Sequence, residues 1–82
     1  SDTEGTRSLT TASLALHRSR EALIAAEREY EAANRGENKE RLKAATEGLI
    51  KAIGDERTAV QGVQGEYRKL LDTMSSVQDA GE

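Results

Sequence analysis

The 82-residue sequence has no cysteine, no proline, no tryptophan and no phenylalanine, and it has only one histidine. Without cysteine there is no disulfide framework and no thiolate metal site, and cysteine usage says nothing about redox compartment. Without proline nothing forces a helix to stop. Two tyrosines are the only aromatic residues, too few for a base-stacking platform. No apolar run approaches the ~20 residues of a membrane span, and there is no signal-peptide pattern. The chain is therefore expected to be soluble, with its compartment open.

Charge of one sign is also missing. Twelve Lys and Arg stand against fifteen Asp and Glu, for a net charge of −3. Between Arg18 and Glu47 seven basic and seven acidic side chains alternate. A nucleic-acid backbone is bound by an accumulated positive field that releases counterions, and none exists here. The nearest approach is Arg35, Lys39, Arg41 and Lys43 around Gly36. Glu37 and Glu40 interrupt it, so it reads as a solvated tip.

What remains is alanine, leucine and charge in a helical pattern. The strong break is Asn34-Arg35-Gly36-Glu37-Asn38. Asn34 and Gly36 suit a left-handed helix stop, and Asn38 suits the next N-cap. The pairs Glu31/Arg35, Glu37/Arg41 and Glu47/Lys51 are spaced for i,i+4 attraction. The first seven residues and the last five (78–82) are small, polar and acidic, and read as frayed tails on one small helical domain, 1–82.

Heptads organise both sides. Leu9, Leu16, Leu23 and Tyr30 recur every seven residues, each followed three later by Ala12, Ser19, Ala26 and Ala33. Beyond the break, Leu42, Leu49, Glu56, Val63, Leu70 and Val77 recur every seven, accompanied by Thr46, Ile53, Val60, Tyr67 and Met74, with Ala45, Ala52 and Ala59 flanking the seam. Folding at Gly36 pairs Leu9 with Val63, Leu23 with Leu49 and Tyr30 with Leu42, facing numbers that total 72. The expected fold is all-α: an antiparallel, coiled-coil-like two-helix hairpin with a longer second helix. The glycines Gly48, Gly54, Gly62 and Gly65 leave an alternative, a three-helix bundle broken near Gly54. Glu56 lies on a core position, from which its carboxylate can reach out toward Arg20 or Arg57.

With helix one over about Ser8–Asn34 (~40 Å) and helix two over about Asn38–Val77 (~60 Å), the second helix overhangs by ~20 Å. The overhang carries Tyr67, Leu70, Leu71, Met74 and Val77, in phase with the core but beyond its partner. Ile24 and Ile50 add apolar surface on a flank. These seven residues are the candidate partner interface.

No chemistry is expected. His17 and Glu21 have metal-ligand spacing, but two ligands without another His or Cys make no site. The glycines of helix two are not a phosphate loop, and no nucleophile-base-orienter set exists. No metal, no cofactor, no enzyme activity and no membrane surface binding are expected. Three roles remain: a self-associating assembly module, a homo-oligomer by this reading of the overhang; an adaptor or co-chaperone binding a helix of another protein; or a hairpin spacer within a longer coiled-coil protein. In size and hairpin pattern the chain resembles needle subunits and small helical co-chaperones of bacterial type III secretion, without the proline-containing turn of needle subunits. That resemblance is one of fold, and it implies protein–protein assembly.

Overall fold

The computed structural model describes the backbone of residues 2–81 and the side chains of 3–76. Two helices, α1 (Asp2–Arg35) and α2 (Lys39–Gly81), form an antiparallel hairpin measuring 68 × 16 × 13 Å. α2 runs unbroken through Gly54 and Gly65, so the three-helix alternative is not adopted. The heptad phase passes through these glycines, and side-chain packing on both sides outweighs their poor propensity.

The turn is Gly36-Glu37-Asn38. Asn38 caps α2 as expected: the Arg41 N–H donates to its Oδ1 at 3.0 Å. The end of α1 differs from expectation. No described residue has a positive φ, so the left-handed stop is not used. Instead the Gly36 N–H donates to the Ala33 carbonyl at 3.2 Å, tightening the last turn in 3₁₀ fashion. Glu37 lies in the turn, outside either helix, so it makes no i,i+4 pair with Arg41. Lys51 pairs forward with Asp55 at 2.7 Å rather than back with Glu47.

The first row of each heptad faces the partner helix, as the periodicity requires. Leu9, Leu16, Leu23 and Tyr30 are half-buried on α1, with Ala12, Ser19, Ala26 and Ala33 beside them. On α2 the leucine row is accompanied by a different companion. Ala45 and Ala52 are buried and Ala59 is half-buried, whereas Ile53, Tyr67 and Met74 are exposed. The seam of α2 is therefore Leu42, Ala45, Leu49, Ala52, Glu56, Ala59, Val63, Glu66 and Leu70; of the branched row, Thr46 and Val60 are half-buried beside it, and Ile53, Tyr67 and Met74 are exposed.

Gly5 lies against Leu70, where an added Cβ would stand 3.1 Å from the leucine Cδ2. Facing numbers there total 75, close to the 72 expected, and the two ion pairs that cross between the helices, Glu29–Arg41 and Arg20–Glu56, total 70 and 76. Extended along the heptads, a total of 75 pairs Tyr30 with Ala45, Ala26 with Leu49, Leu23 with Ala52, Leu16 with Ala59 and Ala12 with Val63. Each of these layers holds one large and one small residue, so one helix separation suits them all. The expected register would alternate leucine-on-leucine layers with small-on-branched ones, which require different separations.

The small polar seam residues satisfy themselves. The Ser19 hydroxyl donates to the Leu16 carbonyl at 2.8 Å, and the Thr46 hydroxyl to the Leu42 carbonyl at 2.7 Å. No buried side-chain polar atom among the described residues is left without a partner. Glu56, in the seam opposite Ser19, leans out so that its Oε2 lies 3.7 Å from Arg20 Nε.

Helix α1 begins six residues earlier than Ser8. The segment read as a tail supplies its first turns, with Gly5 in phase with the seam. Much of the expected overhang is thereby removed, and Leu70 belongs to the intramolecular seam.

Candidate interaction surface

The flanks of the seam differ in character. Glu29 and Arg41 each precede a leading seam residue, and their bridge crosses one edge. Arg41 Nη2 and Nε donate to the two carboxylate oxygens of Glu29 at 2.8 and 3.0 Å. This bidentate hydrogen bond holds the Glu29 carboxyl below its ordinary pKa and raises that of Arg41. It also occupies one of the four basic groups at the hairpin tip, so Arg41 is committed within the hairpin rather than offered to an anion.

The residues that follow the small rows line the opposite edge, because like flanks face each other across an antiparallel pair. Arg20 follows Ser19 there and reaches Glu56. On α2 the same edge carries Ile53, Val60, Tyr67 and Met74, with Ile50 and Leu71 one step further round. Ile24, four residues beyond Arg20, lies on the same flank of α1. Except for Val60, which is half-buried, these apolar residues are exposed, by between 45% and 66%.

The structure thus brings together five of the seven residues proposed from the sequence: Tyr67, Leu71, Met74, Ile50 and Ile24. Leu70 is withdrawn to the seam by Gly5, and the side chain of Val77 lies outside the described residues. Sequence reasoning missed Ile53 as a surface residue, because it assigned its row to the core. The available signal was the competing row Ala45, Ala52 and Ala59, which also repeats every seven. The surface is one continuous stripe along α2 rather than a cluster at an overhanging end.

His17 Nε2 lies 2.9 Å from Glu21 Oε1 in an exposed i,i+4 pair. No group of three or more metal-ligating side chains occurs among the described residues. The grooves are open and run along the helices, one over Thr3, Thr6 and Thr10 and another between Gly5, Ser8, Glu66 and Leu70. No helix among the described residues is long and apolar enough to cross a membrane.

No protein family, curated protein or solved structure matches this chain at a significant level.

Proposed function

We propose that this chain is a non-enzymatic helical assembly module that associates with further copies of itself through the apolar stripe of α2. The observation that carries this reading is the contrast between core and stripe. Only Ala33, Ala45 and Ala52 are buried apolar residues among those described, while Tyr67, Leu71, Met74 and Ile50 are each more than half exposed. Two helices alone leave every larger side chain touching water on at least one side. A second apolar stripe at helical spacing is the form a helix-packing surface takes. Methionine and tyrosine suit it, since one adapts its shape and the other buries area while keeping a polar tip.

The test is molar mass by light scattering or sedimentation over a wide concentration range. The wild-type protein is expected to exceed the monomer mass. The double variant Leu71→Glu, Met74→Glu is expected to stay monomeric with its helix content retained, because the seam does not use these residues. A wild-type protein that is monomeric at all concentrations overturns self-association and favours the adaptor reading, in which a helix of another protein takes the stripe.

A further inference from the structure

The stripe has a register of its own. Ile50, Ile53, Val60, Tyr67, Leu71 and Met74, with Arg57 and Gln64 filling the two remaining places, form an unbroken alternation of three- and four-residue steps. That is a second heptad seam on the same helix, turned about a quarter of the way round from the first. We propose that its occupant is the α2 stripe of a second copy, running antiparallel, in the register where facing residue numbers total 124. This rests on the self-association proposed above and specifies its geometry.

Self-complementarity selects that register. With a total of 124, Ile50 meets Met74 of the second copy and Ile53 meets Leu71 of the second copy. Arg57 meets Tyr67, and Val60 meets Gln64. Each apolar pair is made twice by the twofold axis. A slip of one heptad either way halves the apolar match: at 117 Ile50 still meets Tyr67, but Met74 faces Lys43 and Ile53 faces Gln64, and at 131 Val60 still meets Leu71, but Met74 faces Arg57 and Tyr67 faces Gln64.

Charge points the same way. Arg57 is the one formal charge within the stripe. A parallel in-register pair would place the two Arg57 guanidinium groups against each other. In the antiparallel register they lie about 15 Å apart along the axis, and each faces a tyrosine ring, a favourable cation–π partner. Ile24 of α1, otherwise isolated on its flank, falls at the level of Ile50 and hence of Met74 of the second copy.

The area is adequate for a dimer. The exposed portions of Ile24, Ile50, Ile53, Tyr67, Leu71 and Met74 amount to roughly 700 Å² per copy, or about 1,400 Å² in all, within the range of stable interfaces. With α2 central and each α1 packed on its own α2, the product is a four-helix bundle.

The absence of cysteine makes the test clean. Single variants Glu47→Cys, Gln61→Cys and Ser75→Cys place nitroxide labels beside the stripe at exposed positions. Pulsed dipolar spectroscopy on each, with molar mass measured on the same samples, reads one label-to-label distance per dimer. With a rise of 1.5 Å per residue and a lateral label separation of about 20 Å across the pair, the expected separations are roughly 20 Å at Gln61, roughly 44 Å at Ser75 and roughly 49 Å at Glu47. Three short, similar distances in a confirmed dimer would show a parallel pair and overturn the proposed register, leaving self-association intact. A Ser75 distance longer than that at Glu47 would also overturn it, since that order belongs to the register totalling 117. A monomeric mass with no dipolar signal would sink both the register and the self-association on which it rests.

Discussion

Alanine in place of Gly48, Gly54 or Gly62 should stabilise the hairpin, and the amount follows from the structure. All three glycines lie inside the continuous α2, none has a positive φ, and a Cβ built on any of them meets nothing within 4 Å. The new methyl group therefore costs nothing in packing. What changes is backbone freedom in the unfolded chain, worth about 1 kcal/mol per Gly→Ala exchange in a helix interior. The sites are well separated and share no partners, so the triple variant should gain about 2.5–3 kcal/mol. In a domain of this size that raises the melting temperature by roughly 10–20 °C. Thermal and urea unfolding, followed by far-UV circular dichroism at one protein concentration, measure it. Gly5→Ala is the contrasting case: its Cβ would stand 3.1 Å from Leu70 Cδ2, so crowding offsets the propensity and the gain should be smaller. A fall in melting temperature for Gly54→Ala would refute the reasoning. It would mean that α2 bends or breaks at Gly54, as in the three-helix alternative.

Three further outcomes are expected. Ala52→Leu should destabilise by about 1–3 kcal/mol through overpacking, whereas Ile53→Ala, in the monomeric Leu71→Glu, Met74→Glu background, should cost less than about 1 kcal/mol; equal costs would mean the seam is misplaced by one residue. Glu56→Leu should raise the melting temperature, because a leucine opposite Ser19 continues the large-against-small pattern while only a long 3.7 Å contact with Arg20 is lost; a lower melting temperature would show that the ion pair is needed. The Glu29–Arg41 bridge depresses the folded-state pKa of Glu29, so its contribution is present above the unfolded carboxylate pKa and is lost as pH falls through the folded value. Melting temperatures of wild type and Arg41→Gln should therefore differ by a constant amount above about pH 5 and converge in acid, a pattern that unfolding scans across pH will show or refute.

Local physics made most of the fold legible from the residues alone. The heptads, the absence of proline and the cap at Asn38 act over a few residues, and they sufficed for two helices, their antiparallel hairpin and the position of the turn. The first turns of α1 were not legible in this way. Asp2–Arg7 is too polar to announce a helix, and its place beside α2 shows only once Gly5 is seen against Leu70. The candidate surface was legible in part. Tyr67, Leu71 and Met74 stood out as apolar residues in heptad phase, but two rows, Ala45-Ala52-Ala59 and Ile53-Val60-Tyr67, flank the leucine row with identical periods. Periodicity cannot choose between them. The choice belongs to the tertiary structure, because one helix separation must serve every layer along the seam. A small residue against a large one meets that condition in the five layers from Ala12–Val63 to Tyr30–Ala45, and α2 turns Ile50, Ile53, Tyr67 and Met74 outward.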